Sequence, residues 1–134
     1  MKTTLMTFAV AAILSAACAA ARAENICVDA TKIYFGDREG VKPATIRASD
    51  CFAAIPEWQE IKRRELTQDD ADYWILIAAA NSRFRKAVEA TAKASGNDLV
   101  TEQGSVTVPE GQAPPPDITK AVVDKIKAGA GDSK

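Results

Sequence analysis

Asn97-Asp98-Leu99-Val100-Thr101-Glu102-Gln103-Gly104-Ser105-Val106-Thr107-Val108 alternates apolar and polar residues on either side of Gln103-Gly104, the pattern of a two-stranded hairpin around a glycine turn. The chain before it, from Asp70 to Ala94, contains no Gly or Pro, and Gly96 stands where a helix C-cap belongs. A long helix therefore delivers the chain into a strand pair, and the class this order predicts is α+β.

Beyond Val108, Pro109 to Pro116 reads as a stiff Pro/Gly linker. A proline-motif ligand at Pro114-Pro115-Pro116 is the less favoured alternative. Asp117 is placed to cap a closing helix whose Ile118, Ala121, Val122, Val123 and Ile126 can dock on a sheet. Residues 129–134 read as a disordered tail.

Upstream, Trp74, Ile77, Asn81, Phe84 and Val88 are spaced 3, 4, 3 and 4, which predicts one buried seam along the long helix. Asn81 is either a polar register-setting break in that seam or simply solvent-facing. Thr67 with Asp70 three residues on resembles a capping box. Asp69, Asp70 and Asp72 then lie at the positive end of the helix dipole, a better account of them than a calcium loop, which needs spaced ligands around a glycine turn.

Ile55 to Leu66 is the preceding helix, with Pro56 in its first turn, Ser49 or Asp50 as an N-cap upstream, and Ile55, Trp58, Ile61 and Leu66 on its apolar side. The short connection makes residues 55–95 an antiparallel helical hairpin. Val41 to Ser49 is ambiguous, and residues 36–40 form a turn. Glu24 to Phe35 reads as a strand, since Ile26, Val28 and Ala30 alternate with Cys27, Asp29 and Thr31. The expected fold is a three-stranded sheet, one N-terminal strand plus the C-terminal hairpin, with a helical hairpin inserted and a helix closing the chain.

The amino-terminal 23 residues carry Lys2, an Ala-rich apolar run from Leu5 to Ala20, and Ala21-Arg22-Ala23 before Glu24, the signature of a secretory signal peptide. The run is about 16 residues, short of the roughly 20 a membrane span demands. A lipobox-like Leu14-Ser15-Ala16-Ala17-Cys18 offers lipoprotein anchoring through Cys18 as a minor alternative, with leucine one residue too far from the cysteine. Residues 24–128 then form one small domain. Cleavage removes two of the 17 basic residues and none of the 18 acidic ones, leaving a net charge near −3. That sign argues against a nucleic-acid binder.

Cys27 and Cys51 would be the remaining thiols in an oxidising compartment, and a disulfide between them is the economical expectation. Two buried thiols that never meet are the alternative. A redox pair lacks Cys-x-x-Cys spacing and any histidine. Enzymatic chemistry finds no nucleophile elbow, phosphate loop or metal-ligand spacing, and neither cofactor nor metal is expected. Trp58, Tyr73, Trp74 and Phe84 are either hairpin core, the favoured reading, or an exposed strip that contacts a partner. Lys62, Arg63, Arg64, Arg83, Arg85 and Lys86 are either a positive arm surface or, more simply, solvated helical faces.

Asn97-Asp98-Leu99-Val100, then Asp117-Ile118-Thr119 followed by Val122 or Val123 and Ile126-Lys127, resemble the carboxyl end of the Skp/OmpH family of periplasmic chaperones. The order strand, helical hairpin, strand pair, helix is similar to that family too, over Ile26 to Phe35, Ile55 to Ala94, Leu99 to Val108 and Asp117 to Lys127. The local match covers about 40 residues, the remainder being topology alone. The resemblance implies an ATP-independent periplasmic holdase, a homo-oligomer and preferably a trimer, whose helical arms hold unfolded outer-membrane proteins. Two departures stand out: the arm is short, and the chain is mildly acidic where the family is typically basic. A non-enzymatic envelope scaffold that keeps the body without a client cavity is the competing expectation.

Overall fold

The computed structural model describes residues 27–131. The leader read at residues 1–23, Cys18 included, lies outside them, as do the last three residues of the chain. The fold is α+β, and among the described residues it has five short strands and four helices: β1 Cys27–Val28, β2 Ile33–Gly36, β3 Pro43–Ile46, α1 Ala48–Ala53, α2 Pro56–Arg63, α3 Ala71–Ser95, β4 Leu99–Glu102, β5 Val106–Thr107 and α4 Thr119–Ala130.

A three-stranded sheet is present, and two of its strands, β2 and β4, come from the expected segments, but the third is β3 rather than the second arm of the hairpin. Its order is β2-β4-β3, with β4 antiparallel to β2 and parallel to β3, while β1 and β5 form a separate two-stranded ribbon. The hairpin expected at 99–108 does turn at Gly104, where the Ser105 amide donates to the Glu102 carbonyl at 3.1 Å. Its arms nevertheless part. Leu99, Val100 and Thr101 are all fully buried, so β4 is a central strand with a neighbour on each side, and β5 must pair elsewhere. Alternation of residue type alone does not distinguish a hairpin arm from a strand covered on both faces.

The N-terminal strand is interrupted as well. Asp29 accepts from the Thr31 amide at 3.0 Å and from its hydroxyl at 2.7 Å, and this local competition turns Ala30–Lys32 into a single 3-10 turn between β1 and β2. The ambiguous stretch 41–49 supplies β3, with Pro43 at the first strand position, where a missing amide does least harm.

Asn97 and Asp98 lock the preceding loop to this sheet. The Asp98 carboxylate accepts from the amides of Val41 at 3.0 Å and Lys42 at 2.7 Å, and the Asn97 side chain donates to the Lys42 carbonyl at 3.3 Å. Past the linker, Pro116 to Ile118 runs along the outer edge of β3, with the Thr45 amide donating to the Pro116 carbonyl and the Ile118 amide donating to the Thr45 carbonyl. The Asp117 carboxylate accepts from the Thr119 amide at 2.9 Å at the entry to α4, but the N-cap position is Ile118, one residue later than the cap expected at Asp117. α4 continues through Gly129 to Ala130, into the stretch read as a tail.

The core lies between one face of the sheet and the helices: Ala44, Ile46 and Val100 meet Cys51 and Ile55, Phe84, Val88 and Ala92 of α3, and Val122 and Ile126 of α4. α1 begins at Ala48 rather than at a Ser49 or Asp50 cap. Its first amide is accepted by Glu102, at 3.1 Å, and the same carboxylate takes the Tyr34 hydroxyl at 2.8 Å.

Candidate client-binding arm

α2 and α3 form the antiparallel hairpin read from the sequence, with Pro56 at the start of α2 and Gly96, at φ +73°, ending α3. Two ion pairs mark the overlap. Near the body Arg83 grips Glu57 through Nη2 to Oε1 at 2.7 Å and Nε to Oε2 at 3.0 Å; at the far end Arg64 meets Asp72 at 2.6 Å. At 1.5 Å per residue the eight residues of α2 limit the overlap to about 12 Å. α3 itself runs 25 residues, about 38 Å, and outlasts both α2 and the body.

That mismatch divides the expected seam. Phe84 and Val88 are buried, with Ala80, Ala87, Thr91 and Ala92 beside them, while Ile77 is half-buried and Asn81 and Trp74 face solvent. Spacing placed these residues in a stripe; the body underlies only its second half. α3 starts at Ala71, later than a cap at Thr67 implies. The Asp70 carboxylate accepts the Thr67 amide at 2.8 Å, closing a turn that leads into the helix.

The four candidate aromatic residues accordingly separate. The Phe84 ring is 4 % exposed and sits 4.9 Å from Phe52 and 5.3 Å, edge to face, from Tyr34. Trp58 is half-buried against Phe52, at 5.8 Å. Tyr73 and Trp74 lie at the tip, rings 5.3 Å apart and nearly perpendicular, with Tyr73 half-buried and Trp74 55 % exposed. Trp74 is held in place as well as exposed, because its indole N–H donates to the Gln68 carbonyl at 2.9 Å. Ile75, 67 % exposed, extends the patch; the seam spacing passed over it because it lies off the 3-4 stripe.

The six basic candidates do not make one positive face. Arg63 is bound to Glu60 at 2.6 Å, Arg64 to Asp72 and Arg83 to Glu57, and the Lys62 ammonium lies 5.5 Å over the Trp58 ring. Arg85 and Lys86 are exposed and form no ion pair with another described residue. The hydrogen bonds from Arg83 hold the half-buried Glu57 carboxyl below its usual range against the opposing effect of burial. The sequence names these cations, but not the carboxylates that consume them.

The disulfide expectation is corrected. Cys51 is a free thiol, fully buried on α1 within the main core, whereas the backbone at Cys27 belongs to the β1–β5 ribbon. Burial, then the neighbouring Asp50, pushes the Cys51 thiol up to about 12. Among the described residues no group of three or more His, Cys, Asp or Glu side chains could hold a metal ion, and no helix is long and apolar enough to cross a membrane. Compared with protein-family models, curated proteins and solved structures, the chain matches none.

Proposed function

We propose that this protein is an ATP-independent periplasmic holdase that engages apolar segments of unfolded outer-membrane proteins with the tip of its helical arm, acting as a homo-oligomer with a trimer as the favoured state. The observation that carries the reading is the fixed, exposed Trp74 with Ile75 at the end of an arm anchored in a small α/β body. An aromatic side chain already held in place loses little freedom on binding, the property of an anchor rather than of a packing accident. The resemblance of the carboxyl end to Skp/OmpH chaperones supplies the client class and compartment, and a body this small gains core by association.

The test is suppression of aggregation when a urea-unfolded outer-membrane protein is diluted into buffer with the purified protein. Near-stoichiometric protection is expected, and it should fall at least fivefold for Trp74→Ala/Ile75→Ala with the circular dichroism spectrum unchanged. Full protection by that variant would refute the assignment to the tip.

A second reading, an envelope scaffold with a defined partner, is favoured by one observation: the cations Arg63, Arg64 and Arg83 are neutralised within the arm, over an overlap of only about 12 Å. It predicts no protection of unfolded clients and recovery of one folded partner at fixed stoichiometry.

A further inference from the structure

The ends of the arm carry opposite charge. At the tip, Glu65, Asp69 and Asp70 form no ion pair with a described cation, and Asp72 and Arg64 neutralise one another, so the fixed Trp74–Ile75 patch has an acidic rim. At the root, a groove of about 650 Å³ runs between α3 and α4, lined by Ala87 and Ile126 below and by Lys86 and Lys125 at its sides. The Arg83–Glu57 pair in its wall is internally neutral. Lys86 and Lys125 pair with no described carboxylate, which leaves the groove positive. The small residues Ala79, Ala90 and Gly129 also line it.

Tip and groove cannot meet within one molecule. Trp74 and Lys86 stand on the same helix, twelve residues or about 18 Å apart, and that helix has neither Gly nor Pro between them to bend at. For this chain, the acidic apolar tip and the positive groove can therefore be brought together only between copies.

We propose that the arm tip of one copy docks in the α3–α4 groove of a second copy, with Trp74 and Ile75 in the groove and Glu65, Asp69 and Asp70 against Lys86 and Lys125. The contact is head-to-tail: it closes into a ring if its rotation permits and continues as an open chain otherwise. It covers the patch assigned above to clients, so self-docking and client binding compete. Its existence rests on the tip's chemistry and does not depend on what the client is.

Sedimentation velocity over a concentration series, together with the emission of Trp74 in a Trp58→Phe background, tests this. Self-association should weaken at least tenfold in Lys86→Glu/Lys125→Glu and in Glu65→Lys/Asp69→Lys, and should weaken as salt is raised. The substituted side chains are exposed and outside the core, so both variants should fold. Mixing the two variants should restore association between them and shift Trp74 emission to the blue. Unchanged self-association in Lys86→Glu/Lys125→Glu, or no recovery on mixing, would overturn the proposal. If Trp74 emission were concentration-independent while the wild-type protein still protected an unfolded client, self-docking would fall and the holdase reading would stand.

Discussion

Phe84→Ala separates the two fates of the arm's aromatic residues. The Phe84 ring is 4 % exposed and closes against Phe52 from α1 and Tyr34 from β2, so three elements meet on one side chain. Phe→Ala in a core typically costs about 3–5 kcal/mol, the upper end where the walls cannot collapse into the space left. Here the walls are a strand held by β4 and a helix whose first amide is bound by Glu102, neither free to move in, so the loss should be about 4 kcal/mol. That is a large part of the roughly 5–15 kcal/mol that holds a domain of this size, and corresponds to a fall in Tm of roughly 15–30 °C. Trp74→Ala, at a 55 % exposed position, should cost under about 1 kcal/mol. Urea unfolding followed by far-UV circular dichroism, at one protein concentration because association shifts apparent stability, reads both. A Phe84→Ala loss under about 1.5 kcal/mol, or equal losses for the two variants, would refute the division between a packed root and a free tip.

Gly36 has φ +79°, and a Cβ there would stand 2.0 Å from the Asp98 carbonyl oxygen, so Gly36→Ala should cost well over about 2 kcal/mol; Gly104→Ala, at φ +83° with open space around it, should cost only the backbone term of about 1–2 kcal/mol in the same unfolding assay. Because its bonds to Arg83 lower the folded Glu57 value from 4.5, the stability this carboxylate contributes is present above pH 4.5 and is lost as pH falls through the lower folded value. Glu57→Gln should cost about 1–3 kcal/mol at neutral pH and flatten the decline of Tm between pH 5 and 3, and a decline as steep as wild type would count against the pair. Cys51, buried and pushed up to about 12, should resist a thiol-specific reagent at pH 8 in the native protein and react fully in 6 M guanidinium; rapid native labelling would contradict its place in the core.

Helical features were the most legible in the sequence, because each rests on neighbours. Pro56 begins α2, Gly96 ends α3 in the left-handed conformation, and Asp117 accepts the Thr119 amide. Strand partners were not legible. The residues 99–108 carry an honest turn at Gly104, yet β4 joins β2 and β3 and β5 joins β1, because pairing depends on which strands the rest of the chain brings alongside. The candidate site was legible as a set of residue types and not as an arrangement. Trp74 and Phe84 share one helical stripe, and Arg63, Arg64 and Arg83 are plain in the sequence, but burial of the one and neutralisation of the others depend on partners elsewhere in the fold.

The sequence by itself determined the α+β class, the antiparallel α2–α3 hairpin and the carboxyl-terminal limit of its long helix, since periodicity, caps and breakers act within a few residues of one another. Only the tertiary structure decided the centre of the sheet, the free thiol of Cys51, the cap that Glu102 provides for α1 across 54 positions, and the exposed tip. The physical reason is length: α3 is longer than the body it packs on, so one stripe is core at Phe84 and open surface at Trp74.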